Sequence, residues 1–292
     1  MRLILSDISA HISPTSDTPA LDASVLLAHI LEKPRTWILA HPDLDLTAEQ
    51  HNQLNKSLAR LDNGEPLPYV LGHWEFFGLE FEITPDVLIP RPETELLVEK
   101  AIAWLKGSPD RRTVADIGTG SGIIAISIAV QVPGATILAT DISPQALEVA
   151  RKNAIKRSVE QCIEFVECDL FPQLFFPDPQ PLSLWERGAE VRGFDLICAN
   201  LPYIPTKTLH NLSVYGREPT LALDGGEDGL DLIRNLMELA PERLAPNGLM
   251  LLEIEASQGK QASNLAYDLF PDAMIRLHHD LTGHDRLLEI AL

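Results

Sequence analysis

The stretch from Thr113 to Gln131, "TVADIGTGSGIIAISIAVQ", constrains the fold more than any other part of the chain. A short strand-like run (Thr113 to Ile117) gives way to three closely spaced glycines, Gly118, Gly120 and Gly122, and then at once to an apolar helical run. The same alternation continues on both sides. A helical pattern, "ETELLVEKAIAWLKG", precedes it, and the strand "TILAT" follows. Ser143-Pro144 then opens a helix with the cap and first-turn proline expected of a start. The strands "IEFVE", "FDLICA" and "LMLLEIE" come later. Strands alternating with helices predict a mostly parallel sheet covered by helices. Two final runs, "MIRLHH" and "RLLEIAL", lie too close together for a helical crossover, so they should pair antiparallel at the end of that sheet.

The front of the chain obeys a different pattern. In "TPALDASVLLAHILEK" the residues Leu21, Val25, Leu26 and Ile30 fall on one helical face. Thr47 and Gln50 have capping-box spacing, Leu54, Leu58 and Leu61 follow, and Asn63-Gly64 marks a stop. Residues 1–70 therefore read as a small all-α unit. The segment "EFFGLEFEIT" alternates at Leu79, Phe81 and Ile83 and turns at Phe77-Gly78, which predicts a β-hairpin linker over residues 71–86. A second domain then occupies residues 87–292. Within it, Pro172–Gly193 is rich in proline and without periodicity, and reads as a surface insertion.

Composition narrows the function. A net charge of −19 argues against a phosphate-binding surface, so no direct contact with nucleic acid is expected. Three cysteines, Cys162, Cys168 and Cys198, form no C-x-x-C pair and suit a reducing compartment. The histidines are scattered, which gives no support to a metal site. No window is apolar enough to span a membrane, and the first residues make a poor signal peptide; a cytoplasmic protein is expected.

The loop Gly118-Thr119-Gly120-Ser121-Gly122 is a candidate cofactor site. Glycines at a strand-to-helix turn let a ligand approach the backbone. The dinucleotide pattern G-x-G-x-x-G would need glycine at 123, where the chain has Ile123. G-x-G-x-G is instead similar to the first motif of methyltransferases that use S-adenosyl-L-methionine. Asp141 ends the next strand, where a carboxylate can accept from both ribose hydroxyls. The alternative is that Asp141 caps the following helix, a role Ser143 fills better. Asp169 follows the strand after that, where such methyltransferases recognise the adenine amino group, with Leu170 and Phe171 placed to flank the ring.

The segment "ICANLPYIP" ends the fourth core strand at the same edge of the sheet. Asn200 offers a carboxamide oxygen and Leu201 a backbone carbonyl, two acceptors able to grip both hydrogens of a planar NH2 group. Pro202 stiffens the turn and Tyr203 gives a flat face for a planar amide or base. A turn in which Asn200 is merely a loop residue is the alternative. Asn200 would border cofactor and substrate alike.

The pattern N-x-P-Y occurs in adenine-N6 DNA methyltransferases and in the protein glutamine methyltransferases that act on peptide chain release factors (the HemK/PrmC family). "YVLGHWEFFGLEFEITPDVLIPRPETE" resembles the latter family's joining segment, and "EPTLALDGGEDGL" is similar to its stretch beyond the N-x-P-Y motif. The resemblance extends over almost the whole chain. It implies a Rossmann-like class I S-adenosylmethionine-dependent methyltransferase sheet with a small N-terminal helical domain and a hairpin linker. It also implies methylation of the glutamine side-chain nitrogen in the Gly-Gly-Gln motif of class I release factors, with the front domain helping to hold that substrate. The family usually has proline where Leu201 stands, a change that should be tolerated if the residue works through its carbonyl. Arg91, Glu93 and Thr94 could shape the cofactor pocket or cap the helix that begins there. A DNA adenine methyltransferase would need a basic groove, which the charge does not provide. A binding protein without activity and a small-molecule N-methyltransferase are the other readings; the latter would not need the front domain.

Overall fold

The computed structural model describes residues 2–14, 16–41, 43–172 and 193–292, so nearly all of the expected insertion lies outside the described residues. The chain divides into two compact units, Met1–Trp74 and Glu75–Leu292.

The first unit contains β1 (Arg2–Ile4), α1 (Leu5–Ile12), α2 (Pro19–Leu31), α3 (Arg35–Ala40), β2 (Asp43–Asp45), α4 (Ala48–Asp62) and α5 (Leu67–Leu71). Ile8, Ile12, Leu26, Leu27, Ile38 and Leu54 form its core. The antiparallel β1–β2 ribbon departs from an all-α reading, because strands of three residues leave no period to detect. In α2 the buried stripe is Ala23, Leu26, Leu27 and Ile30, spaced as i, i+3, i+4 and i+7. Leu21 lies on the opposite side and is 41% exposed, which corrects its expected place on the apolar face. At the start of α4 the capping box is complete: Gln50 N donates to Thr47 Oγ1 (3.2 Å) and Thr47 N to Gln50 Oε1 (3.0 Å).

A hairpin of β3 (His73–Phe76) and β4 (Leu79–Glu82) follows. Its two-residue turn needs positive φ at both positions; Gly78 (φ 70°) supplies this freely and Phe77 (φ 52°) is forced into it. Phe77 N donates to Glu95 Oε1 (2.9 Å), which holds the turn.

The second unit continues with α6 (Thr94–Gly107), β5 (Thr113–Ile117), α7 (Ile123–Gln131), β6 (Thr136–Asp141), α8 (Pro144–Lys156), β7 (Ile163–Glu167) and β8 (Phe194–Ala199). Then come α9 (Thr206–Leu209), α10 (Asp231–Leu239), β9 (Leu244–Glu253), α11 (Gly259–Leu269), β10 (Met274–His279) and β11 (Asp285–Ala291). Seven strands form one sheet in the order β10-β11-β9-β8-β5-β6-β7. The five strands from β9 to β7 are parallel, and β11 runs antiparallel to both its neighbours. This is the mostly parallel sheet with an antiparallel end that the sequence pattern predicts. Strands β5 to β7 build outward in one direction and β8 to β9 in the other, so a crevice opens above the carboxyl ends of β5 and β8, where open α/β sheets bind ligands. Val114, Leu138, Leu196, Ile197, Met250 and Leu251 are fully buried, as strands covered on both faces require. Among the described residues no helix is long and apolar enough to cross a membrane.

Candidate active site

The glycine loop is braced from below by Asp116, a fully buried residue of β5. Its Oδ2 accepts from Thr119 Oγ1 (2.6 Å) and from Ala125 N (3.0 Å), tying the loop to the first turn of α7. Burial pushes its pKa up to about 7 against the opposing pull of those two bonds, and the nearby Asp141 adds to the rise. Sequence reasoning passed over Asp116 as a strand position. The available signal was a carboxylate in an otherwise apolar run, two residues before the first glycine.

Gly118 (φ 72°) and Gly120 (φ 56°) occupy the left-handed region. A Cβ on Gly118 would stand 2.9 Å from Leu201 Cδ2, whereas one on Gly120 would meet no atom of the described residues within 4 Å, because it would enter the cavity that Gly120 lines. Gly120 N donates to Asp141 Oδ2 (2.8 Å), and Ser143 N donates to Asp141 Oδ1 (2.9 Å). Asp141 therefore braces the loop and also begins the turn into α8, while Ser143 Oγ caps that helix by accepting from Ala146 N (3.2 Å). Burial raises the pKa of Asp141, and its backbone N–H partners oppose the rise. Asn153, another residue the sequence did not single out, donates Nδ2 to Ser121 O (2.9 Å) and clasps the Glu82 backbone through both ends of its amide.

One cavity is lined by Gly118 to Ser121, Asp141, Asp169, Leu170, Asn200, Leu201 and Pro202. The structure thus gathers the three separate strand-end motifs around a single space. Gly122 does not line it; a Cβ there would meet Ile126 Cδ1 at 2.8 Å and Ala150 Cβ at 3.2 Å, so Gly122 lets α7 and α8 pack closely. Phe171 corrects the expectation that it would flank a ring in the cavity. It is 5% exposed, stacks on Phe194 (6.0 Å) and lies under Arg243, so the chain presents Leu170 to the cavity and commits Phe171 to the core.

Asn200 Nδ2 donates to Thr94 Oγ1 (3.0 Å), while among the described residues Oδ1 receives no hydrogen bond. Leu201 is buried, its side chain resting on Gly118. Tyr203 lies away from the first cavity. With Asn200, Leu201 and Pro202 it lines a second one, so the turn at 200–203 borders two spaces. Gln258 Nε2 fixes the turn by donating to Tyr203 O (2.9 Å). The Tyr203 hydroxyl donates to Glu253 Oε1 (3.4 Å), and burial, reinforced by Glu253, raises its pKa. Glu253 is itself 2% exposed, and burial lifts its pKa to about 7.

Arg91 and Thr94 line the first cavity; Glu93 stands at the helix N-cap but makes no capping bond with its side chain. Arg91 Nη2 donates to the buried Glu218 Oε1 (2.6 Å), and Glu218 Oε2 accepts from Ile89 N (3.2 Å). The "IPRPET" and "EPTLALDGG" segments are thereby joined at the wall of the cavity.

Residues 4–72 match the family model described as the PrmC N-terminal domain, and residues 98–201 match that of ribosomal protein L11 methyltransferase (PrmA). The release factor glutamine methyltransferase of Moorella thermoacetica is 39% identical over 92% of this chain and 90% of its own length. That of Coxiella burnetii is 38% identical over 97% of this chain and 95% of its own length. Among solved structures, the hMettl16 catalytic domain in complex with the MAT2A 3′UTR hairpin 6 aligns with a TM-score of 0.55 at 14% identity, covering 85% of this chain and 83% of that chain. That likeness shows the shared fold alone. The PrmA match covers only the glycine loop and the strands up to Leu201, whereas the two full-length relatives span both compact units. On that evidence the chain belongs to the release factor glutamine methyltransferase family.

Proposed function

We propose that this chain transfers a methyl group from S-adenosylmethionine to the side-chain amide nitrogen of the glutamine in the Gly-Gly-Gln motif of class I peptide chain release factors. The observation that carries the reading is the orientation of Asn200. Asn200 lines both cavities, and with Nδ2 engaged by Thr94 its oxygen is the end left to meet a ligand there. An oxygen there attracts an NH2 group; a reversed amide would repel it.

The first cavity suits the cofactor. Above Gly120 the loop is open, and each oxygen of Asp141 accepts one backbone N–H and so retains acceptor capacity for a ribose hydroxyl. Asp169 lines the same cavity and is the acceptor we assign to an adenine amino group, with Leu170, Ile123 and Ile142 as apolar walls. When bound, S-adenosylmethionine supplies an electrophilic methyl group on a sulfonium.

The protein's own part is to hold a poor nucleophile. Asn200 Oδ1 and the Leu201 carbonyl take the two hydrogens of the glutamine amide, Pro202 keeps the turn stiff, and Tyr203 bounds the second cavity as a flat wall. Fixing the nitrogen in line removes rotational freedom before the reaction, an effect that reaches about 7–11 kcal/mol in well-oriented systems. As the nitrogen gains the methyl group it gives up one of the held hydrogens as a proton, which passes to solvent water. Residues 1–70 serve to hold the release factor, the hairpin of residues 71–86 joins them to the catalytic domain of 87–292, and the protein works in the cytoplasm beside its substrate.

The test is incubation with labelled S-adenosylmethionine and a purified class I release factor, followed by mapping of the labelled residue. Label on the glutamine of Gly-Gly-Gln is expected. Label on another residue, or none, refutes the proposal.

A further inference from the structure

Glu253 is a buried carboxyl group with no ion pair among the described residues. Arg286, whose charge acts on it, pairs instead with Asp280 (3.0 Å), and among the described residues Glu253 Oε2 has no hydrogen-bond partner. Removing a carboxyl group from water without a cation is costly, so compensation must come from neighbouring dipoles.

Two hydroxyls provide it. Tyr203 donates to Oε1. The Thr94 hydroxyl faces the same carboxyl group, close enough to favour its charged form though short of a formed hydrogen bond. Sheet register explains the convergence: β8 and β9 run parallel with Ala199 opposite Leu252, which brings the residues that follow them, Asn200 and Glu253, to the same edge of the sheet. Thr94 is fully buried at the first residue of α6 and accepts from Asn200 Nδ2. A hydroxyl that accepts from Asn200 has one hydrogen left, and the Glu253 carboxyl group is an acceptor near enough to feel it.

We infer that Thr94 and Glu253 are positioning residues: Glu253 orients the Thr94 hydroxyl to accept, and Thr94 thereby fixes which end of the Asn200 amide faces the substrate. The same carboxyl group steadies Tyr203, so one buried acid sets two members of the turn. An asparagine amide is nearly symmetric in shape, and only its hydrogen-bond partners distinguish its ends. Without the hydroxyl acceptor the amide is free to flip. A flipped amide offers hydrogens to hydrogens.

This inference rests on the proposed role of Asn200, and its test separates the two. Thr94→Val keeps the shape and removes the hydroxyl, Thr94→Ser keeps the hydroxyl, and Glu253→Gln leaves one acceptor oxygen for two hydroxyls. The first readout needs neither cofactor nor substrate: the Asn200 side-chain amide protons in the nitrogen–proton NMR spectrum of the free protein, assigned by their loss in Asn200→Ala. In Thr94→Val they should shift and exchange with water about tenfold faster or more, with Thr94→Ser like the parent. The second readout is methyl transfer. The kcat of Thr94→Val should fall ~10²-fold, the usual scale for a misplaced reacting group, with KM for release factor and cofactor affinity within about twofold. Glu253→Gln should show a smaller fall of about tenfold in kcat alone. Unchanged Asn200 amide signals in Thr94→Val, a loss confined to KM, or Thr94→Ser as impaired as Thr94→Val would overturn the inference. If the parent methylates no release factor, the functional proposal fails, and the NMR arm still decides the orientation of Asn200.

Discussion

Replacing Gly118 with alanine tests whether the glycine loop and the turn at 200–203 form one packed unit. The substitution has two costs. Gly118 sits at φ 72°, a region that costs an L-residue about 1–2 kcal/mol. Its new Cβ would stand 2.9 Å from Leu201 Cδ2, closer than real contacts allow, so the buried Leu201 side chain has to leave its packed position. Overpacking of that kind costs about 1–3 kcal/mol, so Gly118→Ala should destabilise the fold by roughly 2–5 kcal/mol. Leu201→Ala alone removes a buried side chain, at about 2–5 kcal/mol. In the double variant the new methyl group fills part of the space Leu201 has left. The two effects should therefore fall short of additivity by about 1–3 kcal/mol, well beyond the few tenths seen for independent sites. Denaturant unfolding of the four proteins measures this coupling, and single-turnover methyl transfer shows whether displacing Leu201 also displaces its carbonyl. Additive stabilities would refute the contact. Additive stabilities with a slowed Gly118→Ala would mean that the loop acts on cofactor binding alone.

Asn200→Ala removes one of the two acceptors, so kcat should fall ~10²–10³-fold with cofactor affinity little changed; transfer at the parental rate would remove Asn200 from the chemistry. Asp141→Ala should weaken cofactor binding by about 1.5–3 kcal/mol in calorimetry. It should also lower the melting temperature, since Gly120 N and Ser143 N both lose their acceptor; unchanged affinity would leave Asp141 a purely structural brace. Glu253 gives a pH dependence. Its carboxyl group titrates near 7 in the fold, chiefly through burial, against 4.5 when unfolded. The unfolded chain therefore releases this proton first, and stability is lost as pH rises from about 4.5 to 7, by up to about 3 kcal/mol. Melting curves of Glu253→Gln across that range should fall less steeply than those of the parent; parallel curves would show that Glu253 does not stay protonated in the fold.

The elements were legible where local pattern and tertiary demand coincide. Helix α7 coincides with the apolar run after the glycines, and β8 with "FDLICA", because strands buried on both faces have to be apolar throughout. The motif residues that carry the cavity could be read for the same reason: glycine, acid and asparagine each stand at a strand end, and parallel topology collects strand ends. The supporting residues could not. Asp116, Asn153 and Glu253 act through partners 3 to 71 residues away, and no periodicity encodes such a pairing; Thr94 stands out as a pocket or cap residue, but its bond to Asn200, 106 positions on, does not. Phe171 was misplaced because its partner, Phe194, starts a strand that the sequence reaches only later. Leu201 was read as a carbonyl on an expendable side chain, because only the packed structure brings Gly118 against it.

The bond between Arg91 and Glu218 joins residues 127 positions apart. During synthesis the arginine leaves the ribosome long before the glutamate that anchors it. Until then Arg91 and the Ile89 N–H lack the acid that takes a hydrogen bond from each. A nascent chain that ends before Glu218 can hold the glycine loop and Asp141, and so the start of a nucleoside site, but not its far wall. Growing chains should thus stay unable to enclose the cofactor until the second half of the catalytic domain has emerged, and the wall of the cavity records the order in which the chain was made.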